Sequence, residues 1–326
     1  MTAAIACVGA GRMGRGMAIA FAYAGMSVNL IDLKERSDAA WQQLAGEAEA
    51  ELRGSLQLLA TLGAVPADAV ERIAARVRLV RESEADAALA AAEVVFEGVP
   101  ETLEAKREAF ARVCAAAPAT AILASTTSTI LVTDLVPLVS HPERLINAHW
   151  LNPAYVIPLV ELSVHDGTAP AVRQRLRTLL EGIGKITVEC GPAPGYIVPR
   201  LQALIMNEAA RMVDEGVATA ADIDKATRYG LGLRFAAIGV VEFIDFGGND
   251  ILYHASRYLS RTLSAERYTA PPIVDRMMAE GRNGLKSGQG FYDYQDIDVD
   301  AYRLDVLQRT LGMLRHAGLY KPPVTD

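Results

Sequence analysis

A glycine-rich segment near the N-terminus has the spacing of a dinucleotide-binding turn. Residues 9–14 read Gly-Ala-Gly-Arg-Met-Gly, which fits G-x-G-x-x-G, and they lie between a short apolar run and an amphipathic helical pattern. In this context the first glycine permits a tight turn, the second lets the backbone approach a pyrophosphate, and the third lets helix and strand pack closely. The free amides and the dipole of the helix start also favour phosphate. We therefore expect the cofactor to be bound here by Gly9, Gly11, Arg12, Met13 and Gly14.

Asp32 distinguishes between the possible dinucleotides. It ends the next apolar run, about where a carboxylate meets the hydroxyls of the adenine ribose. Its charge repels the additional phosphate of NADP, and Lys34 and Arg36 soften this repulsion slightly. The alternative, a glycine turn without function, is disfavoured because the strand, the helix and Asp32 all stand where a cofactor site needs them. We predict NAD as the cofactor.

Short apolar runs alternate with longer helical patterns through the first part of the chain. Strands are predicted at Ile5–Val8, Val28–Ile31, Val77–Val80, Val94–Phe96, Ala121–Ala124, Leu145–Ala148, Leu159–Leu162 and Ile186–Val188. This alternation predicts an α/β, Rossmann-like fold with a mostly parallel sheet and helices on both faces. Residues 37–76 form an unusually long helical stretch, which Gly63 and Pro66 interrupt, and they predict an inserted helical hairpin.

The character of the chain changes at residues 191–195, Gly-Pro-Ala-Pro-Gly. Beyond this turn-rich joint no strand is convincing, and apolar residues recur at helical spacing. We therefore predict an NAD-binding domain over residues 1–190. An all-helical domain for the substrate and for dimerisation is predicted over residues 191–326.

Composition excludes several classes of protein. The formal net charge of −7 argues against nucleic acid as the main partner, because a phosphate-binding groove leaves a basic footprint. No apolar run reaches the roughly 18 residues of a membrane span. Cys7, Cys114 and Cys190 are few and far apart, which favours a reducing cytoplasm over a disulfide framework. No Cys/His spacing predicts a metal site.

Six separated motifs together resemble the 3-hydroxyacyl-CoA dehydrogenase family. They are residues 9–14, 96–101 with Lys106, 124–128, 149–153 with 158–161, 194–198 and 284–292. The resemblance covers nearly the whole chain, and six matches in the right order are far more specific than one. It implies a Rossmann-like domain, a helical second domain that usually forms a homodimer, and oxidation of a hydroxyl group by NAD.

The resemblance also implies a catalytic pair. By position this pair is His149 and Glu161, with Ser125 and Asn152 beside the reacting hydroxyl. The chemistry agrees, because histidine is the usual proton acceptor near neutral pH and a neighbouring carboxylate fixes its tautomer. Ser125 and Asn152 can donate hydrogen bonds to the oxygen as it becomes a carbonyl. On the cofactor side of the cleft the expected residues are Gly98, Val99, Glu101, Lys106 and Ser125.

Two departures from the family bear on the substrate. Pro199 stands where the family usually has an asparagine, and Asn207, about two helical turns further on, is a weak substitute. Residues 230–239 look more like the gulonate and carnitine dehydrogenase branch, which oxidises small free hydroxy acids. Arg234 in this segment could hold a substrate carboxylate through a bidentate pair. Its alternative is an ordinary salt bridge or a helix C-cap.

The form of the substrate stays open at this point. Residues 37–62 contain no lysine and only Arg53, which disfavours binding of CoA phosphates, whereas residues 284–292 look like the acyl-CoA members. We expect oxidation of the C3 hydroxyl of a short L-3-hydroxy acid, with (S)-3-hydroxyacyl-CoA as the alternative substrate. A non-catalytic NADH-binding structural protein, like the lens-crystallin relatives, is a remote alternative. A 6-phosphogluconate-type enzyme is disfavoured because no lysine lies between Lys185 and Lys225.

Overall fold

The computed structural model describes residues 4–325. The chain divides into two compact units, the first ending at Ile205 and the second beginning at Met206. Among the described residues, no helix is both long and apolar enough to cross a membrane.

The first unit is built on an eight-stranded sheet. Its strands are β1 (Ile5–Val8), β2 (Val28–Ile31), β3 (Val77–Val80), β4 (Val94–Glu97), β5 (Ile122–Ser125), β6 (Leu145–Trp150), β7 (Leu159–Ser163) and β8 (Ile186–Cys190). Their order is β3-β2-β1-β4-β5-β6-β7-β8, and neighbours are parallel except for the pair β6–β7. The prediction of a mostly parallel Rossmann-like sheet is therefore confirmed, with the strand order reversing direction beside β1.

Helices cover both faces of this sheet. They are α1 (Arg12–Tyr23), α2 (Asp38–Thr61), α3 (Val70–Ala74), α4 (Ala85–Ala90), α5 (Leu103–Ala116), α6 (Val132–Leu135) and α7 (Pro170–Gly182). Two separate apolar cores result, because neighbouring residues of β1 contribute to different cores and side chains of a strand alternate between faces. In one core the rings of Phe21, Phe96 and Trp150 pack with centroids 5.2–5.8 Å apart. The predicted helical hairpin corresponds to α2, the turn at Gly63 and the short α3.

Helix α8 (Val198–Asp214) begins in the first unit and ends in the second. The second unit continues with α9 (Ala220–Ala226), a π-helical turn (Thr227–Gly232), α10 (Leu233–Ala237), α11 (Val240–Gly247), α12 (Asn249–Thr262), α13 (Ala265–Tyr268), α14 (Pro272–Ala279) and α15 (Val299–His316). Within the described part of this unit, β-type backbone pairing is limited to two isolated bridges. The prediction of a helical C-terminal domain is confirmed.

A buried carboxylate, Asp245, organises the segment 284–294. Its side chain accepts hydrogen bonds from the amides of Phe291 and Tyr292, at 3.0 and 2.9 Å, and from the hydroxyl of Tyr294 at 3.2 Å. A side chain at Gly290 would overlap this carboxylate. The glycines and aromatics of the last family-like motif therefore serve packing around Asp245.

Candidate active site

The three glycines of the first turn have different structural roles. Gly9 has φ +102°, and a Cβ there would come within 2.6 Å of the Gly98 carbonyl oxygen. A Cβ at Gly14 would overlap the carbonyl oxygen of Gly9, so only glycine lets α1 lie this close to the turn. Gly11 instead has nothing within 4 Å of its absent Cβ. Its backbone is therefore open to a ligand.

The start of α1 fits the phosphates of a dinucleotide. Gly11 is its N-cap, no side chain caps it, and its first turn contains no acidic residue. The first amides and the positive end of the helix dipole are thus available to an anion. A cavity of about 890 Å³ at the carboxyl ends of β1, β2 and β4 is lined by Gly9, Gly11, Asp32, Gly98 and Val99 among others. The residues present fit NAD: the Gly11 backbone would hold its pyrophosphate, and Asp32 would bind its adenine ribose.

Six of the predicted cofactor residues do not line this cavity: Arg12, Met13 and Gly14 at the turn, and Glu101, Lys106 and Ser125, which are described below. Arg12 is exposed at the first position of α1, and Met13 packs partly against the apolar core. Asp32 is almost fully buried and forms an ion pair with Arg36, which also lines the cavity together with Lys34. The Asp32 carboxylate therefore lines the cavity with one cation beside it.

The antiparallel pair β6–β7 brings a histidine and a carboxylate together. His149 and Glu161 are direct register partners, and Nδ1 of the ring lies 2.8 Å from Oε2 of the carboxylate. An ionised carboxylate only accepts hydrogen bonds, so Nδ1 carries the proton and Nε2 keeps its lone pair. No other described residue forms a hydrogen bond with Nε2. This ring can accept a proton from a ligand.

Glu161 is held in its ionised form by its surroundings. Its other oxygen, Oε1, accepts the backbone amides of Ile197 and Val198 at 2.9 and 2.8 Å. Burial acts to raise the pKa of Glu161, but the hydrogen bonds from His149, Val198 and Ile197 outweigh it and hold the pKa below its usual value. The carboxylate is thus negative at neutral pH and stabilises a positive charge on the ring.

Ser125 belongs to a second buried cluster of polar side chains, together with Glu97 and Lys106. Glu97 and Ser125 are register partners on β4 and β5, and the serine hydroxyl donates to the Glu97 carboxylate at 2.6 Å. Nζ of Lys106 lies 3.0 Å from both oxygens of Glu97 and 3.5 Å from Oγ of Ser125. The side chains of Lys106 and Glu97 are 1% and 0% exposed. They form a buried ion pair that also accepts the amide of Val99.

This arrangement bears on the expected roles of Ser125 and Lys106. Ser125 is predicted to donate a hydrogen bond to a substrate oxygen; in the structure its hydroxyl donates to Glu97, and its oxygen keeps a lone pair for a donor. Lys106, predicted on the cofactor side of the cleft, has a buried side chain that pairs with Glu97 and lies outside the lining of this cavity. Glu97 was missed, although a glutamate in an apolar strand requires a partner when buried.

Glu101 holds the loop after β5 and does not line the cavity. One of its oxygens accepts the Thr127 hydroxyl, the amides of Ser128 and Thr129 at 2.9 Å, and the Thr129 hydroxyl at 3.0 Å. Burial acts to raise the pKa of Glu101, but these hydrogen bonds and Lys106 hold it below its usual value. Its contact with the cofactor stays a prediction, and the contacts that the structure shows are those with the loop that follows Ser125.

Tyr196 was also missed, although it lies in the fifth motif. Its ring stacks on the imidazole of His149, with centroids 4.8 Å apart and planes 10° from parallel. Its hydroxyl donates to the carbonyl of Thr127 at 2.7 Å and accepts from Nδ2 of Asn147 at 3.1 Å. The ring therefore links the histidine to the loop after β5.

The remaining predicted residues are exposed. Asn152 follows β6, and its side chain forms no hydrogen bond within residues 4–325. Asn207 lies on α8. Pro199 occupies the second position of this helix, where a missing amide costs no hydrogen bond because the first turn leaves its amides without helical partners. Arg234 lies on α10 with its guanidinium 4.8 Å from the Phe243 ring centroid, and no carboxylate of the described chain pairs with it. Asn207 and Arg234 belong to the second unit.

Comparisons with known proteins agree with this fold and cofactor site. Residues 4–193 match the family model "3-hydroxyacyl-CoA dehydrogenase, NAD binding domain", and residues 195–294 match "3-hydroxyacyl-CoA dehydrogenase, C-terminal domain". The chain is 29% identical to 5-formyl-3-hydroxy-2-methylpyridine 4-carboxylate 5-dehydrogenase of Mesorhizobium japonicum, over 95% of this chain and 97% of the relative. It is 34% identical to the lambda-crystallin homolog of Bos taurus, over 78% and 77%.

A solved structure extends the likeness to three dimensions. The 3-hydroxyacyl-CoA dehydrogenase of Archaeoglobus fulgidus superposes with a TM-score of 0.76 and 29% identity, and the match covers 97% of this chain and 99% of that one. The glycine turn, the cavity and the two family matches lead to one conclusion. The chain belongs to the 3-hydroxyacyl-CoA dehydrogenase family of NAD-dependent oxidoreductases that act on CH–OH groups.

Proposed function

We propose that this protein reversibly oxidises the C3 hydroxyl of a short L-3-hydroxy acid, with His149 as the general base. The observation that carries the proposal is the 2.8 Å bond from His149 Nδ1 to Glu161, which leaves the lone pair of Nε2 for the substrate. When bound, NAD supplies the acceptor for the hydride that leaves C3. His149 removes the hydroxyl proton, and Glu161 stabilises the resulting imidazolium.

Two further residues complete the proposed site. The amide of Asn152 is exposed and forms no hydrogen bond within the described chain, so it is available to donate to the substrate oxygen as its carbonyl character grows. Ser125, whose proton is held by Glu97, offers its lone pair to a donor of the bound cofactor or substrate. The reverse reaction uses the same groups, with the imidazolium returning the proton.

Arg234 is the proposed ligand of the substrate carboxylate. The alternative to substrate binding is that this arginine forms an ordinary salt bridge, but no described carboxylate pairs with it. Its guanidinium stacks on Phe243, which limits its freedom and leaves the edge with its N–H groups for a bidentate partner. Asn207 is the second proposed polar contact, in place of the asparagine that Pro199 replaces. The Mesorhizobium relative, whose name gives a pyridine carboxylate without CoA as its substrate, supports a free acid.

A (S)-3-hydroxyacyl-CoA is the second candidate substrate, and the name of the Archaeoglobus enzyme favours it. Two observations weigh against it. Arg53, the one basic residue of α2, already pairs with Glu49 and Glu71. The motif 284–292, which resembled acyl-CoA members, packs around Asp245 and so says little about the substrate.

We also propose the division at residues 190/191 into a cofactor domain and a domain for substrate binding and dimerisation. The homodimer is supported by large apolar side chains that are exposed on the helices after the joint, among them Leu204, Val213, Ile251 and Tyr258. Light scattering after size-exclusion chromatography tests it, and a monomer at micromolar concentration would contradict it.

The substrate is tested by initial rates of NADH formation. One arm uses (S)-3-hydroxybutyryl-CoA, and the other uses 3-hydroxybutyrate, gulonate and carnitine. We expect turnover of a free acid. In Arg234→Met the KM should rise by about 10- to 100-fold, because the variant loses one charged hydrogen-bonded contact with the substrate. Arg315→Met is the matched control, because Arg315 also stacks on an aromatic ring, that of Tyr320 at 5.0 Å. Turnover of the thioester alone would refute the free-acid assignment.

The catalytic role is tested separately. His149→Ala should abolish turnover and leave the NADH dissociation constant nearly unchanged, because the ring lies outside the cavity at the glycine turn. Near-wild-type turnover in this variant would contradict His149 as the base. Tight NADH binding by the wild-type protein without turnover of any 3-hydroxy acid or thioester would instead support the structural alternative that the lambda-crystallin relative suggests.

A further inference from the structure

Tyr196 has a backbone conformation that its residue type rarely adopts. Its φ is +45°, in the left-handed region, where a bulky aromatic residue is uncommon and costs free energy. Such a conformation persists only where the surroundings over-determine it. Here the hydroxyl is held by Thr127 and Asn147, and the next two amides, of Ile197 and Val198, are held by Glu161.

The result of this conformation is the position of one ring. The aromatic face of Tyr196 lies nearly parallel to the imidazole of His149, with a centroid separation of 4.8 Å that is typical of offset stacking. A cation within about 6 Å of an aromatic face is attracted by its quadrupole, and the attraction grows where water is excluded. Tyr196 and His149 are both buried.

We propose that Tyr196 is a positioning residue that fixes the plane of the His149 ring and stabilises its imidazolium form through its aromatic face. The inference rests on the proposed role of His149 as the base. In the oxidation the substrate O–H bond breaks and its proton forms an N–H bond at Nε2, while the O–H electron pair forms the carbonyl bond as the C3–H bond breaks and C3 loses its hydride. The other proton stays on Nδ1, hydrogen-bonded to Glu161, so the ring gains one positive charge that was absent before the transfer.

The π face therefore interacts more strongly after proton transfer than before it. An interaction of this kind lowers the barrier, because only a differential contribution accelerates a step. Tyr196 does not exchange a proton itself: burial, the largest cause, raises the pKa of its hydroxyl well above the usual value, and the ring stays neutral.

Three titratable side chains act on the stacked rings of Tyr196 and His149. Glu161 on β7 contacts the imidazole directly. Glu101 after β4 and Cys190 at the end of β8 act electrostatically on Tyr196, and burial raises the pKa of the Cys190 thiol, which keeps it neutral. The aromatic face of Tyr196 is neutral, so replacing it changes no charge around the imidazole.

Two substitutions separate the ring from its hydroxyl. Tyr196→Phe keeps the stacked face and loses the bonds to Thr127 and Asn147, and Tyr196→Leu keeps an apolar side chain and loses the face. For the leucine variant we expect kcat to fall by about 2- to 30-fold, the range of a cation–π contribution. KM and the NADH dissociation constant should stay within about twofold. The phenylalanine variant should keep at least about half of kcat.

The pH profile gives a readout that a packing defect would not move. With the ring removed, the pH at which kcat/KM is half-maximal should fall by roughly 0.4 to 1.5 units, because the imidazolium is no longer stabilised. The phenylalanine variant should keep the wild-type midpoint. Equal losses of kcat in both variants, or an unchanged midpoint in Tyr196→Leu, would overturn the proposal.

A fluorine series protects the test against misfolding of the leucine variant. Phenylalanine with one to three ring fluorines at position 196 keeps the shape and withdraws electron density from the π face stepwise. We expect kcat to fall with each fluorine while NADH binding holds. A flat series with an inactive His149→Ala would refute the role of Tyr196 alone, whereas an active His149→Ala would refute the proposed base as well.

Discussion

The buried pair of Lys106 and Glu97 allows a quantitative prediction. Lys106→Met removes the ammonium and keeps a flexible side chain of similar length. It leaves the Glu97 carboxylate, which is 0% exposed, with only the hydroxyl of Ser125 and the amide of Val99 as donors. A buried charge without its counter-charge is far more costly than a buried neutral group.

The magnitude follows from this geometry. Removing one partner of a buried ion pair costs about 3–5 kcal/mol, a large part of the roughly 5–15 kcal/mol that stabilises an ordinary domain. Glu97→Gln should cost less, because the Lys106 ammonium keeps the Glu101 carboxylate at 3.6 Å as a counter-charge. The double variant leaves no buried charge, so its loss should be smaller than the sum of the single losses by about 1–3 kcal/mol.

Urea unfolding followed by tryptophan fluorescence measures these losses. Both tryptophans of the sequence, Trp41 and Trp150, lie in the first unit, and Trp150 packs on Phe96, the residue before Glu97. The signal therefore reports the unit that contains the pair. The control is Arg78→Met, which breaks an exposed ion pair with Glu84 and should cost less than about 1 kcal/mol.

Two outcomes would refute this reasoning. Lys106→Met could be as stable as Arg78→Met, which would mean that water reaches the Glu97 carboxylate. Alternatively, the effects of Lys106→Met and Glu97→Gln could be additive, which would mean that the two charges do not depend on each other.

Three further predictions follow from the sheet unit. Gly14→Ala should lower the urea midpoint and weaken NADH binding, because the added methyl overlaps the Gly9 carbonyl; an unchanged NADH titration would contradict the tight turn. Asp32→Ala should weaken NAD binding and relax discrimination against NADP, and unchanged kinetics with both cofactors would refute its placement at the ribose. The lowered pKa values of Glu161 and Glu101 mean that their stabilisation is present above the unfolded value of about 4.3 and is lost as pH falls through the folded values. The urea midpoint should therefore drop with acidification below about pH 5, less steeply in Glu101→Gln, and an identical slope in that variant would contradict its ionised role.

Much of the fold could be predicted from the sequence because its signals are local. Each strand is a short apolar run, and the turn after β1 needs glycine at positions where any side chain would collide with the backbone. The boundaries of the eight strands differ from the prediction by two residues at most. Helix breakers such as Gly63 and Pro66 act within a few residues of the chain, so their effect is also visible in the sequence.

The candidate site was less predictable, because its contacts depend on strand register. That Glu97 lies beside Ser125 follows from the pairing of β4 with β5, and the direction of Lys106 follows from Glu97. The unusual backbone of Tyr196 is likewise set by partners far along the chain, Thr127 and Asn147. A sequence pattern carries no information on such pairings until the sheet order is known.

The two oxygens of Glu161 restrict what evolution or design can place at this position. One oxygen accepts from the His149 ring, and the other accepts from the amides that begin α8. The isosteric amide of glutamine could serve only one of these partners, because its NH2 group would face donors on the other side. If the NH2 group turned toward the ring, it would donate to Nδ1 and favour the imidazole that carries its proton on Nε2. The lone pair needed for proton removal would then be lost. A neutral glutamine at position 161 would therefore lose either the hydrogen bonds to the start of α8 or the lone pair on Nε2 of His149. The residues at the helix start and at the reactive ring can change only together.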